Sequence, residues 1–182
     1  MGNAINQMRS GGQSRVSIAR SPAGRGYRLA ASQFLPYPRE QIFEFFSDAM
    51  NLQTLTPAWL RFTILTPWPI HIAPGALIDY RLRVRGVPIR WQSSISVWEP
   101  PFRFVDEETR GPYKRWHHEH VFEEVDGGTL CHDTVDYEVY GGGLVDSLFV
   151  RPDLLKIFAF RQQKLIELFP RTETALSRLA AS

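Results

Sequence analysis

The sequence predicts an α+β domain in which a curved antiparallel sheet is closed by one long C-terminal helix. Three observations lead there. A strand and two short helical segments open the folded part, alternating apolar and polar segments separated by turn residues fill the middle, and residues from about Pro152 to Phe169 carry the longest helical period of the chain. A sheet with one wet face must bury the other, and the final helix is the element long enough to cover it.

Residues 27–35 read as the first strand, stopped by Pro36 and Pro38. Arg39–Asp48 then places Ile42, Phe43, Phe45 and Phe46 at helical spacing, with Pro38 suited to a first helical turn. Asn51–Leu55 supplies a further helical turn before Pro57, and Arg61–Thr66 a short strand ended by Pro67 and Pro69. In Ala76–Arg85, Ile78, Tyr80, Leu82 and Val84 alternate with Asp79, Arg81, Arg83 and Arg85, which is the period-two pattern of a half-buried strand. Val87–Trp98 puts Ile89, Trp91, Ser93, Ile95 and Val97 on one side, and Phe102–Glu108 follows after Pro100 and Pro101. Tyr113–Glu124 and Thr129–Tyr140 are joined through Asp126, Gly127 and Gly128, a strong hairpin signal. On the last helix, Leu154, Ile157, Phe158, Leu165 and Leu168 share one face, while Pro170 blocks continuation.

Composition narrows the function classes. The 182 residues suit one domain, read as 27–169, with a basic arm over 1–26 and a tail over 170–182. The arm is rich in Gly, Ser and Arg, contains no acid, and lacks core periodicity, so disorder is expected. Setting aside its four arginines, the 21 basic residues of the whole chain fall to 17, against 19 acidic ones. A slightly acidic domain disfavours nucleic-acid binding, which needs a basic face to displace phosphate counterions. The absence of an apolar run of membrane-spanning length argues against stable membrane insertion, and the expected location is the cytoplasm. The single cysteine, Cys131, reads as a small buried residue of a strand.

The chemistry-bearing residues fall on the inward parity of the sheet. Trp116 and Phe122 share their face with His118 and His120, which puts two imidazoles on the inner side. Histidines one apart on a strand can bind zinc, with Asp133 as the obvious third ligand, but a polar anchor or a hydrogen-bonded network is the simpler reading, and neither metal nor cofactor is expected. Asp133 lies in parity with Cys131, Val135, Tyr137 and Val139, and a carboxylate among inward apolar residues demands a partner. Arg161, at the centre of the apolar face of the last helix, offers one. Tyr80, Trp91, Trp116, Tyr137 and Phe158 complete an aromatic set on the same inner faces. Glu107, Glu108 and Arg110 read as rim charges, and Gly141–Gly143 as a hinge or gate. Ser93 has inward parity near the histidines, yet no nucleophile announces itself.

The order of elements, together with Pro38-Arg39-Glu40-Gln41-Ile42-Phe43, Asn51-Leu52, Thr56-Pro57, Gly86-Val87-Pro88, Gly111-Pro112-Tyr113 and Trp116-His117-His118, resembles the START-like (SRPBCC) superfamily, and within it a bacterial subgroup of the polyketide cyclase/dehydrase-like type. The resemblance covers residues 27 to about 169. It implies a helix-grip fold around a cavity but no particular reaction. The expectation is therefore binding or carriage of a small hydrophobic ligand, lipid- or polyketide-like, by Tyr80, Trp91, Trp116, His118, His120, Asp133, Tyr137, Phe158 and Arg161. The alternative is a cyclase, dehydratase or hydrolase using His or Asp as general acid/base in the same cavity. The sequence leaves ligand identity, catalysis and oligomeric state open.

Overall fold

The computed structural model describes residues 16–171. Eight antiparallel strands form a single sheet: β1 (Ser17–Arg20), β2 (Tyr27–Leu35), β3 (Thr63–Ile64), β4 (Leu77–Val84), β5 (Val87–Glu99), β6 (Arg103–Arg110), β7 (Tyr113–Val125) and β8 (Gly128–Val139). Their order is β1-β2-β8-β7-β6-β5-β4-β3, so the meander β4 to β8 is extended when β2 pairs with β8. Two short helices, α1 (Arg39–Ser47) and α2 (Ala49–Thr54), lie between β2 and β3. After β8 come a helical turn α3 (Gly142–Val145), a π-helical turn (Asp146–Val150) and the long helix α4 (Arg151–Leu168). This is the helix-grip architecture that the element order predicts. Among the described residues no helix is long and apolar enough to cross a membrane.

Local chemistry explains the joints. Asp48 caps α2 by accepting the Met50 N–H at 2.9 Å. The β4–β5 connection turns on Arg85 and Gly86, both with positive φ, as a two-residue hairpin matched to strand twist requires. Arg85 is held there by Asp153 on α4, through hydrogen bonds of 2.9 and 3.0 Å. At the β7–β8 turn Gly128 packs so closely on the Leu35 carbonyl that a Cβ would meet its oxygen at 2.3 Å.

The N-terminal boundary differs from the sequence reading. Strand β1 falls inside the segment expected to be a disordered arm, where it pairs in register from Ser17–Ala30 to Arg20–Tyr27. Its side chains are mostly exposed, so no apolar period marks it. Polar contacts hold it: Ser21 donates to the buried Asp136 at 3.0 Å, and Arg151 donates to the Ile18 carbonyl at 3.2 Å. Residues 1–15 and the tail from residue 172 lie outside the described residues. The Gly141–Gly143 segment starts the helical run, with Gly141 in the left-handed conformation ahead of α3.

The interior divides into packed ends and an open middle. Leu35, Ile42, Phe43, Phe122, Cys131 and Phe169 form one packed cluster under α1, and Leu29, Val135, Tyr137, Leu154 and Phe158 another under α4. Leu168, assigned to the apolar face of α4, is 39% exposed, and the buried residue is its neighbour Phe169. Ile78, Tyr80, Leu82, Trp91 and Ile95 on β4 and β5 form the third cluster, which borders the cavity.

Candidate ligand-binding site

A cavity of about 970 Å³ lies between the bent sheet and α4. That is ample for a drug-sized or lipid-sized molecule, for which cavities of about 300–1,000 Å³ are usual. Its walls come from β4 (Ile78, Tyr80, Leu82), β5 (Ile89, Trp91, Ile95), β7 (Trp116), α2 (Leu52) and α4 (Leu154, Ile157, Phe158). Two register shifts in the β5–β6 pairing, at Gln92/Ser93 and Ile95/Val97, mark bulges that bend the sheet away from the helix. The second shift also moves Val97 off the inner face and places Trp98 in the wall instead.

The aromatic wall is built by contact between strands. Tyr80 and Trp91 are cross-strand partners whose rings stack at 5.9 Å, and Trp116 meets Trp91 edge-on at 5.2 Å. Phe158 approaches His118 from the helix at 5.8 Å. Of the residues singled out from the sequence, Tyr80, Trp91, Trp116, His118, His120, Phe158 and Arg161 line the cavity. Asp133 and Tyr137 do not. Tyr137 is 1% exposed and donates at 2.7 Å to Asp146, which also accepts from Arg151, so it ties the sheet to the start of α4 rather than facing a ligand. Asp133 stands behind the two histidines, on the next strand.

The polar centre of the cavity spans five strands, β4 to β8. His118 and His120 on β7 are buried, their rings 3.8 Å apart. Asp133 on β8 accepts a hydrogen bond from His118 Nε2 at 3.1 Å. It also lies 2.7 Å from His120 Nδ1, at an angle too oblique for a hydrogen bond. On the cavity side, Asp106 Oδ2 of β6 is 3.4 Å from both His118 Nδ1 and His120 Nε2. Ser93 donates to Asp106 at 3.5 Å and accepts from Trp91 Nε1 at 3.1 Å, while the Tyr80 hydroxyl lies 2.8 Å away. From α4, Arg161 Nη1 approaches Asp133 at 3.9 Å, and its guanidinium lies over the rings of Phe46 and Phe158.

Burial and charge set the protonation states. Burial disfavours ionisation of Asp133, but Arg161 and the two histidines outweigh it and hold the carboxyl well below its usual range. Asp106 is lowered for the same reasons, with the imidazoles and then Arg161 opposing burial. Burial pushes His118 down to about 4, helped by charge on His120. In His120 burial acts the same way, yet Asp133 and Asp106 prevail and its pKa rises. The two imidazoles are thus pushed in opposite directions, His118 toward its neutral form by burial and His120 toward its charged form by the carboxylates on either side of it. Asp106 is the site residue that parity reasoning missed. Phe104 and Val105 are both buried, so β6 shows no clean alternation, and only the inward step from Phe104 to Asp106 points to it. Glu108, read as a rim charge, is half-buried and accepts the Tyr113 N–H at 3.0 Å; burial pushes its carboxyl up to about 7 against that bond.

Residues 35–157 match the family described as polyketide cyclase / dehydrase and lipid transport. The chain belongs to this family. Solved structures carry the same fold. A Mycobacterium smegmatis protein, 15% identical, superposes with a TM-score of 0.61 over 85% of this chain and 97% of that one. The major latex-like protein 151 of Panax ginseng, 11% identical, gives 0.59 over 79% and 97%. A nucleoside-diphosphate sugar epimerase from Corynebacterium glutamicum, 27% identical, gives 0.58 over 76% of this chain and 28% of that larger one. No curated protein sequence matches the chain. Family membership supports ligand binding in general, and the family match ends before Arg161.

Proposed function

We propose that this protein binds and carries a small, largely apolar molecule bearing one polar, anionic end, held in the cavity between the sheet and α4. The observation that carries this reading is Arg161. Its side chain is only 11% exposed and sits on the cavity wall, its nearest carboxylate is 3.9 Å away, and its buried Nε finds no acceptor among the described residues. A buried guanidinium with unused donors is costly until an acceptor arrives, and it is suited to an oxyanion. The Tyr80, Trp91 and Trp116 rings supply the apolar surface from which affinity comes. Native mass spectrometry of freshly purified protein should reveal a retained small molecule, and Arg161→Met should weaken its rebinding about tenfold or more, roughly 1.4 kcal/mol. A cavity that retains nothing and admits no apolar carboxylate probe would refute carriage.

A second reading, a cyclase, dehydratase or hydrolase, is favoured by one observation: Asp106, His118 and His120 all open onto the same part of the cavity. Purely apolar walls would offer no proton donor or acceptor, whereas this group can serve as general acid/base. Substitution of His118 by Gln would then abolish turnover of a bound substrate while leaving its binding within a few-fold.

A further inference from the structure

Asp106 Oδ2 is held at equal distance from two ring nitrogens, one on each histidine. Charge-assisted hydrogen bonds are typically about 2.7–2.9 Å long, whereas both of these separations are a longer 3.4 Å. One ligand atom from each of Asp106, His118 and His120 lies within 4.8 Å of the others. Two donors bound at about 2.0–2.1 Å to one tetrahedral ion stand about 3.4 Å apart. The two separations from Asp106 are those of ligands around one ion.

The surroundings fit the same geometry. Behind the histidines, Asp133 faces the other nitrogen of each ring, at 3.1 Å from His118 and 2.7 Å from His120. The hydrogen bond from His118 Nε2 to Asp133 fixes the His118 ring and directs its Nδ1 forward, which is the usual outer support of a histidine-bound metal. The His120 ring is positioned by Phe104, which stacks on it at 4.2 Å with the planes 21° apart. The three forward residues line the cavity and Asp133 does not, so the convergence point opens toward the cavity.

We propose that Asp106, His118 and His120 form a three-ligand site for a divalent first-row transition ion of the zinc type. A donor set of two imidazoles and one carboxylate suits such an ion better than magnesium or calcium, which prefer all-oxygen shells. Three protein ligands leave a fourth position open to the cavity. With two carboxylates, Arg161 and a divalent ion, the centre carries one positive charge in excess. The open position therefore takes an anionic oxygen, and this last step rests on the carriage reading above, with the ligand's carboxylate or enolate end on the ion.

The test uses the full chain without an affinity tag, stripped with chelator and titrated with zinc chloride in the absence of any organic molecule. One ion should bind per chain, and cobalt(II) in its place should show the visible absorption bands of a low-symmetry site. His118→Ala and Asp106→Asn should each weaken zinc binding at least 100-fold, and Asp133→Asn about 10–100-fold. His132→Ala, on the outer face beside Ser32 and Glu123, should leave it unchanged. Circular dichroism checks that each variant folds, and the stoichiometry of the unaltered chain decides the matter should one fail to. Less than half an equivalent of zinc bound at 100-fold excess, or retention of wild-type affinity by folded His118→Ala, overturns the site. With cis-parinaric acid as probe, zinc should tighten binding at least fivefold, and the methyl ester should show no such gain. Stoichiometric zinc with no effect on parinarate overturns the open position, and failure of parinarate to bind at all refutes the carriage reading while the zinc titration stands alone.

Discussion

Replacing Trp91 by alanine tests whether the middle of the interior is open. Trp91 is 8% exposed, stacks on Tyr80, meets Trp116 and Tyr113 edge-on, and borders the cavity. Phe122 provides the comparison, being 2% exposed and packed among Leu35, Phe43, Phe104 and Cys131 away from the cavity wall. Deleting an aromatic side chain loses its transfer free energy, about 2–3 kcal/mol. In a packed site it also leaves a void, and at about 24 cal/mol per Å³ a void of roughly 80 Å³ adds about 2 kcal/mol. Phe122→Ala bears both terms, for a total of about 4–5 kcal/mol. Trp91→Ala only enlarges a space of about 970 Å³ that solvent or ligand already enters, so it bears little more than the first. The lost Trp91 hydrogen bond leaves Ser93 still served by Tyr80. The larger deletion should therefore cost less, about 2–3 kcal/mol, in urea denaturation followed by far-ultraviolet circular dichroism. If Trp91→Ala costs as much as Phe122→Ala, the interior is solid and no room exists for a ligand.

Three further outcomes follow from the polar contacts. A chain beginning at Tyr27 loses β1, the Ser21–Asp136 bond and the Arg151–Ile18 bond, and should melt about 5–10 °C lower by differential scanning calorimetry, as about 2–3 kcal/mol would require in a domain of this size; an unchanged melting temperature would show that β1 contributes nothing. Asp136 is held below its usual pKa by its hydrogen bonds with Arg28 and then, against burial, by Ser21, so its stabilisation is complete above about pH 4–5 and is lost as pH falls through the lowered folded value. The urea midpoint of the unaltered chain should accordingly drop more between pH 6 and pH 3 than that of Asp136→Asn, and equal drops would assign the acid sensitivity elsewhere. Tyr137→Phe removes the 2.7 Å bond to Asp146 and should cost about 1–3 kcal/mol with no change in parinarate affinity, because its hydroxyl points into the structure and away from the cavity; a large loss of affinity would return Tyr137 to the binding wall.

Alternation along a strand reports which face a side chain takes, and for β4, β7 and β8 that was enough. Tyr80, Trp116, His118 and His120 line the cavity as their parity requires, and Asp133 lies on the same side against the two histidines. Face is not the same as depth, however. Asp133 has the correct parity yet is screened from the cavity by the histidines of the neighbouring strand, and Tyr137 has it yet lies where the helical run after Gly141 covers the sheet. Whether an inward residue becomes wall or packed core depends on where α4 crosses the curved sheet, and that is set by contacts far apart in sequence. The β5 bulges add a second non-local effect, since a shift of one residue puts Trp98 where alternation places Val97. Strand β1 had no periodic signal at all, because polar bonds to Asp136 and Arg151 hold it rather than a buried stripe. Asp106 combines these difficulties. Its own strand gives two buried neighbours in a row, and its importance arises only when β6 is laid beside β7 with Asp106 opposite His118. Each of the two histidines is legible alone as an inward polar residue; the carboxylate that completes their geometry is supplied by register, which no single strand encodes.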